Sequence, residues 1–219
     1  MSQPPTLDEE RKLHNRGYKL VAGIDEVGRG TIAGPVAAAA VVLPLGVDIP
    51  WLPLVRDSKQ LSPLKRESLF ELIQMTELAV GVGMVSQVDI DELGIVKATQ
   101  MAMSKALEKL PFTPDFLLID ALILPDVPLP QKSIIRGDQL SLSIACASVV
   151  AKVSRDRYMI ELDHLHPGYG LAHHKGYATK QHLESLHQLG PCPIHRRSFA
   201  PVRRLIDKRN AESWAHPGG

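Results

Sequence analysis

Two carboxylates stand side by side near the start of the chain, between an apolar run and a glycine-rich turn. Asp25 and Glu26 follow the run VAGI and precede VGRG. A short apolar run that ends in acids is typical of a buried strand that delivers functional groups to a surface. Because neighbouring residues of a strand face opposite sides, both acids reach one metal centre only if the strand ends or bulges here.

Further acids recur at comparable places along the chain. Asp120 ends the apolar run FLLI, Asp138 lies in RGD, and Asp156 lies in SRD. Taken singly, each acid more simply caps a turn. Three or four gathered carboxylates, however, repel one another unless cations neutralise them, and ligands that are all oxygen favour Mg²⁺ or Mn²⁺ over zinc. Two such ions about 3.5–4 Å apart are the usual arrangement for attack of water on a phosphodiester.

The glycine turn after the acids has two interpretations. Gly28, Gly30 and Ala33 satisfy the spacing G-x-G-x-x-A of dinucleotide-binding folds. Such a fold needs a helix to begin here, whereas Pro35 and the β-branched residues after it predict a strand. We therefore prefer a turn whose backbone and Arg29 lie against a nucleic-acid backbone, beside the metal site.

The histidine-rich segment HHKGY, residues 173–177, raises the question of zinc. No cysteine or acid lies at metal-ligand spacing from these histidines, which disfavours a zinc site. Tyr177 stands among basic residues and is better interpreted as a stacking surface for a sugar or base. The two cysteines, Cys146 and Cys192, make no disulfide framework.

Composition and charge limit the class of protein. The 219 residues are 44% apolar and 5% aromatic, which fits a globular α/β protein of one domain with at most a small appendage. The formal charge of +1 hides an asymmetry: residues 152–219 carry 11 Lys and Arg against 6 Asp and Glu, which leaves the first part at −4. An acidic part with a basic part suits a polyanionic substrate, although solvated surface charge explains the asymmetry equally well.

Hydrophobic periodicity, together with residues that start or break helices, predicts the helices and strands that must position these residues. These patterns predict a loose polar arm over residues 1–16, a main domain over residues 17–210 whose helical part begins near 165, and a flexible tail over residues 211–219. Pro63 after Ser62 marks one helix start, and Thr179 another. The predicted strands are 18–25, 35–43, 80–86, 115–120 and 133–136, and the predicted helices are 62–77, 89–110, 141–165, 179–188 and a last short helix within 195–209.

Several longer motifs occur in one order along the chain: AGIDEVGRGTIAGPV, DSKQLS, LLID, RGD, SIACASVVAKVSRDRYM, HKGYAT and GPCPIHRRSFAPV. With them the chain resembles bacterial ribonuclease HII, the type 2 ribonuclease H, from Val21 to about Val202. The resemblance implies a ribonuclease H-like α/β fold, with a mixed central β-sheet flanked by α-helices and a C-terminal helical part. It also implies hydrolysis of the RNA strand of RNA/DNA hybrids and cleavage 5′ of single ribonucleotides in duplex DNA, with Mg²⁺ or Mn²⁺.

The resemblance also implies roles for single residues. Asp25, Glu26 and Asp120 match the metal ligands, and Asp138 matches the fourth active-site acid, with Asp156 in a supporting place. Gly28, Arg29 and Gly30 match the turn that recognises the ribonucleotide, and Tyr177 matches the tyrosine on the adjoining deoxyribose. One departure is Ala121, which follows the third ligand where the family usually has glycine and puts the shape of that loop in doubt.

The expected partners are RNA/DNA hybrid and ribonucleotide-containing duplex DNA. We expect a cytoplasmic monomer without a membrane segment, since the first residues are not signal-like and no apolar run approaches the ~20 residues of a membrane helix. The tail AESWAHPGG shows no sliding-clamp motif. Two alternatives remain at this point, a non-catalytic nucleic-acid binder on the same fold and a nucleotide-cofactor enzyme that uses the glycine turn.

Overall fold

Five strands form one mixed sheet within the part of the chain that the computed structural model describes, residues 4–44, 46, 49–76 and 78–215, with side chains up to residue 211. The strands are β1 Val21–Val27, β2 Val36–Val42, β3 Ala79–Val85, β4 Phe116–Asp120 and β5 Gln131–Ile134. Their order is β3-β2-β1-β4-β5. β1 is antiparallel to β2 and parallel to β4, and β4 is parallel to β5. The acid-bearing strand is therefore central.

Helices account for most of the remaining described residues. They are α1 Asp8–Asn15, α2 Pro63–Met75, α3 Gln87–Leu93, α4 Ile95–Glu108, α5 Leu142–Leu165, α6 Leu171–His174, α7 Lys180–Leu189 and α8 Ala200–Ala215. Two predicted caps are confirmed, because the Ser62 hydroxyl accepts the Lys65 N–H and the Thr179 hydroxyl accepts the His182 N–H. Among the described residues, we find no helix with the length and apolarity to cross a membrane.

The predicted helix over 89–110 is two helices. A capping box between Ser86 and Asp89 begins α3 early, and Gly94, with a φ of +79°, ends it. α4 begins at Ile95 and buries Ala102 and Ala106 completely. The sheet meets this face through Gly83, where an added Cβ would lie 2.1 Å from the carbonyl oxygen of Ala102.

The expected loose arm is wrong from residue 8 onward, because α1 is ordered and anchored by a buried acid. Glu10 is 1% exposed. Its Oε1 accepts hydrogen bonds from the Ser141 hydroxyl at 2.6 Å and from the Ser143 hydroxyl and N–H at 2.6 and 2.9 Å. A carboxylate at the start of α5 also interacts favourably with the helix dipole.

The chain divides into two compact units. Unit 1 comprises Met1–Val27, Ala37–Met84 and Thr99–Ser154, and unit 2 comprises Gly28–Val36, Val85–Ala98 and Arg155–Gly219. The predicted helical part from about residue 165 lies within unit 2. α8 continues to Ala215, and residues 216–219 of the predicted tail lie outside the described residues.

Candidate active site

The parallel pairing of β1 with β4 aligns two acids in unit 1. Ile24 pairs with Ile119, so Asp25 and Asp120 are the next residues along the two strands. Asp25 and Gly23 lie on the same face of β1. Gly23 packs closely against the start of α5, because a Cβ added to it would lie 2.2 Å from the carbonyl carbon of Ser143. The strand register alone therefore brings the first and third predicted ligands together.

The strand does not end at the acids, so the expectation that it ends there is wrong. β1 continues to Val27, and its ladder with β2 pairs Asp25 with Ala39 and Glu26 with Ala38. Strand alternation directs Asp25 and Glu26 to opposite faces. The two carboxylates still interact, because the charge of Glu26 contributes to the raised pKa of Asp25.

The electrostatic properties of the cluster show that the acids repel one another. Burial raises the pKa of Asp25 well above its ordinary value, and the charges of Glu26 and Asp120 raise it further. Burial also raises the pKa of Asp138 to about 6, with repulsion from Asp57 and Asp120 adding to it. Such a group can hold a proton close to neutral pH. The structure thus brings Asp25, Glu26, Asp120 and Asp138 within electrostatic range of one another.

Two residues of the DSKQLS segment belong to this cluster, and the sequence patterns did not single them out. Asp57 is 5% exposed and accepts a hydrogen bond from Gln139 at 3.3 Å. Lys59 Nζ lies 3.8 Å from Asp138 Oδ2. Although burial opposes the charge of Lys59, Asp138 and Asp57 raise its pKa. The only sequence signal for either residue was the resemblance that included this motif.

The donor set fits a hard divalent cation in chemistry. Its ligands are carboxylate oxygens, which Mg²⁺ and Mn²⁺ prefer, and bound cations would relieve the repulsion that raises the pKa of Asp25. In the described residues, no three His, Cys, Asp or Glu side chains converge as a ready metal cage. The fit therefore rests on charge and ligand type.

Ala121, the departure from the family pattern, adopts a left-handed backbone with a φ of +50°. An L side chain is strained there and glycine is not, so we expect Ala121→Gly to stabilise the protein by about 0.5–1 kcal/mol. Urea unfolding measures the change. As the matched control at the same exposed position, Ala121→Val should destabilise the protein, and the argument fails if both variants shift stability in the same direction.

The glycine turn lies in unit 2, and its two glycines differ in whether the fold requires a glycine at that position. Gly28 has a φ of +88°, and a Cβ on it would lie 2.2 Å from Arg155 Nε. Gly30 has no such φ, and a Cβ on it would meet no atom within 4 Å. Packing within the protein therefore requires Gly28 but not Gly30. No helix follows the turn, and β2 begins at Val36, which rules out the dinucleotide interpretation.

Two buried arginines, which sequence patterns missed, hold this turn by its carbonyl groups. Arg196 donates to the carbonyl oxygens of Gly28, Arg29 and Gly34 at 2.7, 3.0 and 3.0 Å. Arg155 donates to the carbonyls of Pro35, Ala33 and Lys175 and to the Thr31 hydroxyl. Burial lowers the pKa of Arg155 to about 10 and that of Arg196 to about 9, so both remain charged at neutral pH.

Arg155 also connects the turn with the loop that carries Tyr177. The carbonyl of Lys175 accepts from Arg155, and the carbonyl of Gly176 accepts from the Ile32 N–H at 2.8 Å. Tyr177 is 42% exposed. The structure thus joins Tyr177 with Gly28, Arg29 and Gly30 in unit 2. Asp156 also belongs to unit 2, whereas the four acids belong to unit 1.

Comparisons with known proteins identify the family of the chain. The family model for ribonuclease HII matches residues 22–202. A ribonuclease HII of Dehalococcoides mccartyi is 54% identical over 203 residues, which cover 93% of this chain and 96% of that protein. The ribonuclease H2 structure from Pyrococcus horikoshii OT3 has a TM-score of 0.72 at 28% identity and covers 87% of this chain and 99% of that one.

A second solved structure is the complex of PCNA with ribonuclease HII from Archaeoglobus fulgidus. It has a TM-score of 0.69 at 25% identity and covers 83% of this chain and 95% of that one. These structures and the mixed five-stranded sheet with flanking helices confirm the predicted ribonuclease H-like α/β fold. The chain therefore belongs to the ribonuclease HII family and is a ribonuclease H, a metal-dependent nuclease.

Proposed function

We propose that this enzyme hydrolyses the RNA strand of RNA/DNA hybrids and cuts 5′ of single ribonucleotides embedded in duplex DNA, leaving 5′-phosphate and 3′-hydroxyl ends. The observation that carries the proposal is the alignment of Asp25 with Asp120 on the parallel strands β1 and β4, where burial and the charges of Glu26 and Asp120 raise the pKa of Asp25. The chain belongs to a family of metal-dependent nucleases, and bound divalent cations would neutralise the negative charge of this cluster.

In this proposal Asp25 and Asp120, which the strand register brings together, hold the divalent cations, Mg²⁺ or Mn²⁺. Glu26, whose charge acts on Asp25 although β1 continues past both residues, is the third ligand. When bound, two such ions supply an activated water and stabilise the charge on the leaving 3′-oxygen. Asp138 acts as the fourth catalytic acid, since burial and its acidic neighbours raise its pKa to about 6, and a carboxyl with that pKa can exchange a proton near neutrality. Lys59, 3.8 Å from Asp138, limits the negative charge at this place.

The residues of unit 2 recognise the substrate in this proposal. Gly30 is exposed and free of packing demands, so the absence of a side chain fits close approach of a nucleic-acid backbone. Arg29 contributes its charge to the phosphates. The exposed Tyr177 ring lies against the adjoining deoxyribose, where a flat ring accepts a sugar that lacks the 2′-hydroxyl. The proposal includes action as a cytoplasmic monomer without a clamp motif in the tail.

A cleavage assay on a DNA duplex with one ribonucleotide tests the proposal directly. We expect one cut, 5′ of the ribonucleotide, with Mg²⁺ or Mn²⁺, and none with chelator, because the carboxylate cluster needs cations to approach a phosphodiester. A denaturing gel with end-labelled strands gives the position of the cut.

Asp120→Asn and the all-DNA duplex are the matched controls for this assay, and neither should give product. Arg29→Ala should weaken binding and blur the choice of the cleavage position. Cleavage of the all-DNA duplex at a similar rate, or full turnover by Asp120→Asn, would contradict the proposed function.

A further inference from the structure

A cluster of buried imidazole rings lies behind the loop that carries Tyr177, entirely within unit 2. His182 and His195 are 0% and 1% exposed, and their Nε2 atoms are 3.1 Å apart. The ring of His174 stacks on that of His182, with 4.2 Å between centroids. Neither the cleavage chemistry nor the recognition turn uses these rings, and the described residues contain no metal-binding group of three.

The hydrogen bonds of His182 determine which of its nitrogens carries the proton. His182 Nδ1 lies 2.8 Å from the carbonyl oxygen of Tyr177, and a carbonyl can only accept, so Nδ1 is protonated. In a neutral ring, Nε2 is then an acceptor. Its partner across 3.1 Å, His195 Nε2, must therefore be the donor.

The far end of the pair agrees with this assignment. The backbone N–H of Cys192 can only donate and lies 3.1 Å from His195 Nδ1, so Nδ1 is the acceptor and a neutral His195 carries its proton on Nε2. The thiol sulfur of Cys192 lies 3.2 Å from the same atom. One assignment of protons thus satisfies the bonds from the Cys192 N–H through His195 and His182 to the Tyr177 carbonyl. We call these groups the histidine chain.

A second proton on His182 would sit on Nε2 and face the N–H of His195 across 3.1 Å. A second proton on His195 would sit on Nδ1 and face the backbone N–H of Cys192 across 3.1 Å, so either proton would break the histidine chain. Burial lowers the pKa of both His182 and His195 to about 4, in agreement with neutral rings. The other titratable groups that face the pair are His174, His166, the Cys192 thiol and Tyr169, whose ring centroid lies 4.9 Å from that of His195.

The histidine chain ends on the backbone of the residue whose ring is exposed. The Tyr177 carbonyl accepts from His182 Nδ1 and also from the Thr179 N–H at 2.8 Å. Thr179 caps α7 by accepting the His182 N–H, so one helix start supplies both donors to the carbonyl. The backbone of Tyr177 is thereby fixed from the protein interior, while its ring remains free to meet a ligand.

We propose that His182 and His195 are positioning residues that hold the Tyr177 backbone and so set the direction of its ring toward substrate. The proposal deepens the function assigned above and rests on it only for the contact between Tyr177 and the sugar. The proton assignment of the two rings is independent of any substrate.

The first test measures the protonated nitrogens in the free wild-type protein by ¹⁵N NMR of its histidines at pH 7.5. We expect His182 as the Nδ1–H tautomer, which is the rarer form in water, and His195 as the Nε2–H tautomer. An Nε2–H or doubly protonated His182 overturns the proposal, whatever the enzyme cleaves.

The second test compares two substitutions of His182 on the duplex with one ribonucleotide. Asn can donate from the place of Nδ1, whereas Leu cannot, so His182→Asn should keep KM within about twofold and His182→Leu should raise it about fivefold or more with kcat little changed. Tyr177→Ala gives the upper limit of the effect, and exposed His187→Leu is the control. If His182→Asn raises KM as much as Tyr177→Ala does, the proposal is overturned, even if His182→Leu fails to fold.

The two tests separate this proposal from the proposed function. If Tyr177→Ala leaves KM unchanged, Tyr177 does not contact substrate and the recognition role assigned above fails, while the tautomers of His182 and His195 still stand or fall by the NMR spectrum.

Discussion

Asp25→Asn is expected to raise the free energy of unfolding of the metal-free protein by about 1–3 kcal/mol at pH 8, while it lowers cleavage on the order of 1000-fold. Asp25 is 5% exposed, and burial together with Glu26 and Asp120 disfavours its charge. The amide removes that charge but keeps an oxygen for the Glu26 N–H, which Asp25 Oδ1 now accepts at 2.7 Å. Urea unfolding in chelator and the cleavage assay measure the two effects.

The advantage of the variant should depend on pH in a defined direction. Because the pKa of Asp25 is raised in the folded state, the native protein takes up a proton before the unfolded chain does as the pH falls. The loss of stability that the charge of Asp25 causes in wild type is therefore largest at pH values above the raised pKa, and it disappears below the ordinary value of 3.8. The difference in stability between Asp25→Asn and wild type should shrink accordingly.

A cation that binds the folded state should reverse the order of stability. Adding Mg²⁺ is expected to raise the melting temperature of wild type more than that of Asp25→Asn. Asp126→Asn, in an exposed loop, is the matched control and should change stability by less than about 0.5 kcal/mol. A metal-free Asp25→Asn that is less stable than wild type at pH 8 would show that the acids do not repel one another as described.

Arg155→Met is expected to lower the free energy of unfolding by about 3–5 kcal/mol, the largest stability change that we predict. Methionine fills much of the same volume but donates no hydrogen bond, so the carbonyls of Pro35, Ala33 and Lys175 lose their donor in a buried place. Urea unfolding measures the change. The stability of Arg155→Lys should lie between those of wild type and Arg155→Met, because one ammonium group cannot reach all these acceptors.

The matched control lies two residues further along α5. Arg157 is exposed, so Arg157→Met should change stability by less than about 0.5 kcal/mol. Equal losses in both variants would mean that the guanidinium of Arg155 contributes no more than an ordinary surface charge. Since Arg155 binds both the turn and the Tyr177 loop, its loss should also raise KM.

The elements of the sheet and the aligned acids could be predicted because their signals are local. Apolar runs that lead into Asp25 and Asp120 predict two strands of one sheet, and the parallel pairing of β1 with β4 then makes the two acids neighbours. The end of β1 was misplaced, because its ladder with the alanine-rich β2 carries it past the acids to Val27. Pairing with a partner strand is a tertiary effect that local patterns do not encode.

Partners far apart in sequence explain most of what was missed. Lys59 meets Asp138, and Arg196 meets Gly28, but no periodicity connects residues so distant. Arg155 and Arg157 look alike in the segment SRDR, although one is buried and the other exposed. The helix α1 was missed because it buries few apolar residues. The buried carboxylate of Glu10, rather than an apolar face, anchors the helix.

Glu10 also has a consequence for the order in which the protein folds during synthesis. Its partners Ser141 and Ser143 lie 131 and 133 residues further along the chain. The ribosome therefore releases α1 long before the hydroxyls that fasten it exist, and α1 cannot take its final place until about two-thirds of the chain has been made. α1 is thus made early but can dock only late, and release of residues 141–143 sets the earliest time for that step.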